Sequence, residues 1–364
     1  MGAPNITIAF YEQADASIQR GDKGTLAMIL VESSVSEMTV ATILDKNDIP
    51  AGYSADNIKA IKSALIGYKN APKKIIAVAV TSAEGYADAL AELCNHDWDY
   101  LAAPSCETDG KAEDITTWVK TQRDDNHRIF KAVLPNQAAD CDGIINVTGG
   151  YTDADGTELT AEQACARIAG IICGTPMNMS CTYAPIEEAL GCPAKTQKEI
   201  DTAVDKGELV LMWDGEKVKI VRGVNSFQTT TDEKGDSFKK IKLVETMDLI
   251  KHDIRKTAED SYIGKFANSY DNKNLLTTAI NGYFDTLARD GILQSGICDI
   301  DTETQRAYLK TKGNKIVIDG ESIKIEDATD LQIRQANTGS QVFLKCTIGM
   351  IDALEDIAID IYIG

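Results

Sequence analysis

Residues 25–175 alternate between strand signals and helix signals, and this alternation restricts the possible folds more than any other feature of the chain. The strand signals are short apolar runs, and the helix signals are apolar residues that recur every three or four positions. A capping-box pattern from Thr160 to Gln163 marks the start of one helix. Such an alternation predicts an α/β domain with a mostly parallel sheet covered by helices. Strands are predicted at Thr25–Val31, Ile75–Val80, Tyr100–Ala103, Ile129–Leu134 and Gly143–Val147, and helices at about 83–95, at about 112–124 and after Thr160.

The second half of the chain has a different organisation. Residues 176–206 contain three prolines, and we place a domain boundary there. Two Asp-Gly pairs, at 214–215 and 319–320, lie between apolar runs and predict β-hairpins with type I′ turns. Helices are predicted at about 245–260 and 272–289, and a strand at Gln341–Ile348. This mixture predicts an α+β domain.

Both ends of the chain alternate between apolar and other residues, as a half-buried strand does. A short strand needs a sheet to join. Each terminal strand could complete the chain's own sheet, or it could join the sheet of another subunit by β-augmentation. The apolar positions of these predicted strand arms are Ile6, Ile8 and Phe10 at one end, and Ile357, Ile359, Ile361 and Ile363 at the other.

The charge balance excludes several classes of partner. The 364 residues include 37 Lys and Arg against 56 Asp and Glu, a net charge of −19. A surface this acidic repels nucleic-acid phosphates and anionic membranes, so neither is expected as a partner. The longest apolar runs are far shorter than the ~20 residues of a membrane span, and the N-terminus has no signal-peptide pattern. We therefore expect a protein that is kept in the cytoplasm.

Motifs of catalysis and of cofactor binding are not found in the sequence. It contains no phosphate-binding, dinucleotide-binding, nucleophile-elbow or zinc-protease motif. Nine cysteines occur at irregular spacing without a C-x-x-C pair, which favours buried, reduced thiols over metal ligands or disulfides. We predict no catalytic residue, no cofactor and no metal. An α/β hydrolase whose catalytic residues meet only in space remains an alternative, because such partners need not be close in sequence.

One stretch of this acidic chain is locally basic. Residues 238–256 carry six basic and three acidic side chains, and their apolar residues recur at helical spacing. The stretch could be a docking surface for an acidic partner or an ordinary amphipathic surface helix. We expect Lys251, Arg255 and Lys256 on one side of this helix, since Arg255 lies four residues after Lys251 and Lys256 follows Arg255.

Several segments of the second half resemble the C-terminal domain of contractile tail sheath proteins, which are found in phages and R-type bacteriocins. The length and the FYEQ opening are most similar to clostridial or PBSX-type tails. Residues 179–364 carry the resemblance, whereas residues 1–178 match mainly in the order of their elements. The matching segments are MSCTYAPIEE (179–188), EIDTAVDKGELV (199–210), VKIVRGVN (218–225), FKKIKLVETMDLIKHDIR (238–255), YIGK (262–265) and LLTTAINGYFDTLARDGIL (275–293).

The resemblance implies a structural protein without enzymatic activity. Sheath subunits form stacked hexameric rings around an inner tube, and a baseplate signal triggers the contraction that drives the tube through a target envelope. Further expected partners are the baseplate and tail-terminator proteins. The resemblance also implies assembly in the cytoplasm of a host bacterium and release as part of a virion or bacteriocin. Another tube- or ring-forming tail component is the alternative.

The resemblance also implies a division of the chain. We expect an N-terminal arm at 1–20 and an outer α/β domain at 21–178, with a subtilisin-like layout that lacks a catalytic site. An α+β sheath domain is expected at 179–345, and a C-terminal strand arm at 346–364. The family's inner domain touches the tube, which makes Lys251, Arg255 and Lys256 tube-facing candidates.

Overall fold

The computed structural model describes Ile18, Arg20 and residues 23–363. The described chain forms two compact units. The large unit contains residues 23–249 and 352–363, and the small unit contains residues 250–351 with Ile18 and Arg20. Ile6, Ile8 and Phe10 of the predicted N-terminal arm lie outside the described residues.

The large unit is built on a mixed sheet of seven strands. The large unit has ten strands among the described residues, seven of them in this sheet. In chain order they are β1 (Thr25–Val31), β2 (Thr39–Ile43), β3 (Lys74–Val80), β4 (Tyr100–Ala102), β5 (Lys131–Pro135), β6 (Ile144–Val147), β7 (Pro185–Ile186), β8 (Glu208–Leu209), β9 (Leu211–Trp213) and β10 (Val218–Ile220). The order in the main sheet is β2-β3-β1-β4-β5-β6-β8. Every pair in it is parallel except β2 with β3. The predicted mostly parallel sheet is therefore confirmed.

Helices cover both faces of this sheet. They are α1 (Ala55–Ile66), α2 (Tyr86–Leu93), α3 (Ala112–Asp124), α4 (Ala161–Cys173) and α5 (Gln197–Asp205). Alternate residues of β1 enter two separate apolar clusters, so this strand is buried on both faces, as in other parallel sheets. One cluster includes α1 and α4, and the other includes α2 and α3. The predicted capping box at Thr160 is present at the start of α4.

The three short strands β7, β10 and β9 form a second antiparallel sheet in the large unit. Its β9–β10 hairpin was predicted, but not with the turn that the structure shows. Trp213 pairs with Val218, which leaves a four-residue loop, and Asp214 is not in the positive-φ conformation that a type I′ turn requires. The carboxylate of Asp214 instead accepts hydrogen bonds from the backbone N–H groups of Glu216 and Lys217.

The small unit combines long helices with a two-stranded sheet. Helix α6 (Ile241–Thr257) contains the division between the units, and it is followed by α7 (Tyr270–Arg289), β11 (Leu293–Ile300), α8 (Thr302–Lys312), β12 (Lys315–Ile318), β13 (Glu321–Lys324), α9 (Asp330–Gln335) and β14 (Leu344–Met350). Strand β11 pairs antiparallel with β14 across a 43-residue excursion that has its own apolar cluster. The predicted type I′ hairpin is confirmed at β12–β13, where Asp319 and Gly320 both have positive φ.

The compact units divide the chain at other positions than the predicted domain boundaries. The predicted boundary after residue 178 falls inside the large unit, because β8 adds to the edge of the main sheet. The predicted C-terminal arm began at residue 346, but residues 346–350 belong to β14 and pair with β11. Residues 351–363 have no regular strand pairing within the described chain.

Candidate assembly interface

The C-terminal segment, residues 352–363, carries the most exposed apolar side chains of the described chain. Its four predicted arm isoleucines, Ile357, Ile359, Ile361 and Ile363, are between 73% and 97% exposed. The intervening Ala358, Asp360 and Tyr362 are exposed as well. An apolar row of this length in water is unfavourable, and such patches mark interaction sites. The segment is therefore a candidate for binding to another surface.

The beginning of this segment is held to the large unit by a group of polar contacts, which we call the root anchor. Lys240 forms ion pairs with Asp352 and Glu355, and Arg222 forms a 2.6 Å ion pair with Asp356. Partial burial alone would lower the pKa of Lys240, but the two carboxylates outweigh it and raise that pKa. The segment thus leaves the large unit from a defined point.

Two hydroxyl groups complete the root anchor. Thr182 Oγ1 donates a hydrogen bond of 2.5 Å to Glu355 Oε1, and Ser180 Oγ lies 3.3 Å from the same oxygen. Glu355 is nearly buried as a result, with a side chain that is 6% exposed. Its ion pair with Lys240 is consequently less screened by solvent than a surface pair.

The two-stranded sheet of the small unit has one edge that is open among the described residues. The edge of β11 that faces away from β14 is occupied by Asn281, a residue of α7. The side chain of Asn281 donates to Cys298 O at 3.0 Å and accepts from Cys298 N at 2.7 Å. Strand β14 pairs only with β11 within the described chain, and each of its residues is partly or fully exposed. Such an edge is a template for pairing with another strand.

Helix α6 has a basic surface because its acidic residues point inward. Glu245 is buried against Lys23, at 2.6 Å, and against the hydroxyl of Tyr100, at 2.8 Å. Asp253 is buried and accepts a 2.7 Å hydrogen bond from Tyr283. The three basic candidates Lys251, Arg255 and Lys256 are all exposed, and Arg255 pairs with Glu259 at 2.9 Å.

The third acidic residue of α6, Asp248, lies in a buried ionic cluster. It accepts hydrogen bonds from Arg123, at 2.9 and 3.1 Å, and from Lys131, at 3.0 Å. Arg123 also pairs with Asp142 at 3.1 Å. Burial would raise the pKa of Asp248, but the two cations outweigh it and lower that pKa. Counting charges along the sequence therefore missed that α6 presents mainly its basic residues to solvent.

The described residues contain no group of three or more His, Cys, Asp or Glu side chains that could hold a metal ion. No helix in the described part of the chain is both long enough and apolar enough to cross a membrane. The features that stand out are thus the exposed C-terminal segment, the edge of β14 and the basic surface of α6.

Comparison with known proteins gives matches to one family of proteins. Residues 79–226 match the phage tail sheath protein central domain, and residues 233–364 match the phage tail sheath C-terminal domain. The tail sheath protein of Clostridium phage phiCD119 is 37% identical over 366 residues, which cover 98% of each chain. The phage-like element PBSX protein XkdK of Bacillus subtilis is 33% identical over 174 residues, which cover 46% of this chain and 37% of that protein.

Solved structures share the fold at lower sequence identity. The sheath tail protein of Desulfitobacterium hafniense has a TM-score of 0.69 at 20% identity and covers 95% of this chain and 100% of its own. The helical sheath of the anti-feeding prophage in its contracted state has a TM-score of 0.71 at 12% identity, covering 100% and 99%. The fold is thus that of a structural sheath subunit. The chain belongs to the family of phage tail sheath proteins.

Proposed function

We propose that the chain is the subunit of a contractile tail sheath, without enzymatic activity. It polymerises as stacked hexameric rings around an inner tube, and contraction drives the tube through a target cell envelope. The sheath ends at baseplate and tail-terminator proteins. Assembly takes place in the cytoplasm of a host bacterium, and the product is part of a virion or a bacteriocin. The large unit provides the outer α/β layer, in a subtilisin-like layout without a catalytic site.

The observation that carries this proposal is the exposed apolar C-terminal segment. Its alternating isoleucines are suited to a strand with one buried face, yet they are exposed in the single described chain. Burying one isoleucine side chain gains about 1.5–3 kcal/mol. A sheet in a neighbouring subunit would bury this face and pair the backbone, which is β-augmentation.

The edge of β14 is the proposed acceptor for a neighbour's terminal strand. The opposite edge of the sheet is less suitable, because the side chain of Asn281 already satisfies both backbone groups of Cys298. An incoming strand on β14 would extend the sheet from two strands to three. Backbone hydrogen bonds across that edge depend little on the sequence of the incoming strand, so either terminal arm is a chemically suitable partner.

The root anchor gives the C-terminal segment its proposed mechanical role. Ion pairs and hydrogen bonds hold residues 352–356 to their own subunit, and the isoleucine row begins directly after them. A strand fixed at one end in its own subunit and at the other end in a neighbour connects the two. Such a connection can persist while rigid units slide and rotate during contraction, because the strand and its hydrogen bonds move together.

The exposed basic side chains of α6 are proposed to face the tube. Lys251, Arg255 and Lys256 lie on the surface of a chain whose net charge is −19, so they offer an acidic cylinder a local attraction. Exposed ion pairs contribute only about 0–1 kcal/mol each. Many weak pairs along a sheath can stabilise the extended state and still break individually during contraction.

Deletion of residues 357–364 tests the proposal while leaving Asp352, Glu355 and Asp356 of the root anchor in place. We expect a folded monomer with the same urea midpoint as the full chain, because the isoleucines contribute little to the subunit's own packing. The variant should form no tubes on concentration, as judged by sedimentation and negative-stain electron microscopy. Tubes of normal length and stability would refute trans pairing of the C-terminal segment.

A further inference from the structure

The geometry points to a cross-strand disulfide between Cys298 and Cys346, which would form once the protein meets an oxidising environment. The two residues lie directly opposite each other on β11 and β14. Their sulfur atoms are 2.6 Å apart, close to the roughly 2.05 Å of a disulfide bond. This is the only pair of cysteines in register between paired strands of the described residues. For these two thiols, the inference departs from the expectation of nine independent reduced cysteines.

The backbone around Cys298 explains why the two side chains come so close. Both the N–H and the C=O of Cys298 bond to Asn281, so they point away from β14. In an antiparallel ladder this makes Cys298 and Cys346 a non-hydrogen-bonded pair, the type in which facing side chains are nearest. The strand register therefore brings the cysteines together, and a crosslink needs little movement of the backbone.

The two cysteines differ in a way that suits one of them to attack the oxidant and the other to displace the mixed disulfide that results. Cys346 is exposed, whereas Cys298 is buried. Cys346 is thus the thiol that an oxidant in solution can reach, and its thiolate is the reactive form.

Oxidation by a small disulfide such as oxidised glutathione proceeds in two exchanges. The Cys346 thiolate attacks one sulfur of the oxidant, forms a mixed disulfide and releases one glutathione thiolate. Cys298 then loses its proton to solvent and attacks the Cys346 sulfur, which releases the second glutathione thiolate. Two protein thiols are oxidised, and one glutathione disulfide is reduced to two thiols.

The bond would close the base of the excursion between β11 and β14. That excursion contains α8, β12, β13 and α9 around its own small apolar cluster. Non-covalent contacts hold its base now: Asp301 N donates to Phe343 O at 2.9 Å, and Arg334 pairs with Asp299 at 2.6 Å. A covalent link at the same place would keep β11 and β14 in register under load. The inference does not depend on the proposed sheath function.

The test is a thiol count on the full-length protein equilibrated with oxidised glutathione. Samples are alkylated under denaturing conditions, weighed by mass spectrometry and mapped by peptide digestion. We expect the wild type to lose two alkylatable thiols without gaining glutathione, and the new bond to join Cys298 and Cys346. Retention of all nine thiols, or a bond between other cysteines, would overturn the inference.

Three variants distinguish this bond from general oxidation. Cys298→Ser should trap one glutathione on Cys346, because the resolving thiol is missing. Cys346→Ser should leave Cys298 reduced, because Cys298 is buried. Cys192→Ser, which removes a partly exposed cysteine of the large unit, should still form the bond. The inference fails if Cys298→Ser loses two thiols as the wild type does.

A thermal measurement provides a second readout. Oxidised wild type should have a higher Tm than the reduced protein, because a crosslink restricts the unfolded chain. The difference should vanish in Cys298→Ser. An equal shift in this variant would show that oxidation acts elsewhere.

Discussion

Asp248 is a buried carboxylate whose two cationic partners, Arg123 and Lys131, come from the main sheet and one of its covering helices. The buried cluster joins the first half of α6 to the large unit through charges that have little access to water. Removing one member of such a cluster leaves the others without compensation, which is costly in a medium of low dielectric constant. An acidic residue of the locally basic stretch is thus part of the buried core.

Asp248→Asn should destabilise the large unit by about 3–5 kcal/mol, because it removes one member of a buried ion-pair cluster and leaves two cations with reduced compensation. The free energy of unfolding is measured by urea denaturation at neutral pH. The matched control is Asp236→Asn, since Asp236 is 86% exposed and pairs with Lys239 three residues on. We expect that control to change stability by less than about 1 kcal/mol. Equal effects of the two substitutions would contradict the role assigned to the buried cluster.

The same substitution should change the acid sensitivity of the fold. The pKa of Asp248 is lowered in the folded chain, so its contribution is present above the ordinary carboxyl pKa of about 3.9 and is lost as the pH falls below it. Wild type should therefore lose stability more steeply than Asp248→Asn below about pH 4. Parallel curves of unfolding free energy against pH would show that Asp248 is not the group responsible.

The basic residues of α6 can be tested without disturbing the core, because their side chains are exposed. Lys251→Glu combined with Arg255→Glu should leave the subunit folded and able to form contracted sheath alone. Extended sheath on tubes should be lost or contract prematurely, since the attraction for an acidic tube becomes repulsion. Particles are counted by electron microscopy. Extended tails of normal stability would show that these residues do not face the tube.

The C-terminal segment is the element whose role depends most on a partner. In the described chain neither of its faces is buried, although the isoleucines all fall on one of them. In a sheet, successive side chains point to opposite faces, so only one face of an added strand needs to be apolar. The two faces can therefore be tested separately.

Ile359→Asp with Ile361→Asp should raise the protein concentration needed for polymerisation at least about 100-fold, because the burial of two isoleucines is lost. The control is Ala358→Asp with Tyr362→Asp, which adds the same charge to the other face and should polymerise normally. Pelleting across a concentration series measures the threshold. If both pairs raise it equally, charge rather than the buried face is responsible; if neither does, the segment is not a strand arm.

At the scale of the whole molecule, the proposed sheath places acidic subunits side by side. A net charge of −19 per chain opposes assembly, and salt screens this repulsion. Specific strand pairing must outweigh it. The large unit has its own extensive core, so the subunit can fold before it assembles.

Deletion of residues 1–12 should leave a folded subunit that cannot polymerise, because the predicted N-terminal arm contributes its strand to a neighbour. Circular dichroism checks the fold, and negative-stain microscopy checks polymerisation over a range of salt concentrations. Normal tubes from this truncated chain would refute the role of the N-terminal arm. Tubes that return only at high salt would indicate that screening can replace part of the lost pairing.

The candidate site could be predicted only in part. The alternation of Ile357 to Ile363 is local, and it pointed to a strand whose partner lies elsewhere. The root anchor was not foreseen, because Lys240 and Glu355 are more than a hundred residues apart. Nor did the number of charged residues in 238–256 reveal that Glu245 and Asp248 face inward. Which side of a helix meets the core depends on the surfaces packed against it.

Local patterns in the sequence were sufficient for the parallel sheet, its covering helices, the hairpin at Asp319-Gly320 and the capping box at Thr160, because periodicity and turn chemistry act over a few residues. Tertiary structure was needed to add β8 to the main sheet, to place the division between the units within α6 and to set Cys298 opposite Cys346. Each of these depends on strand register or side-chain packing between distant segments. Short-range patterns carry no information about which distant segments meet.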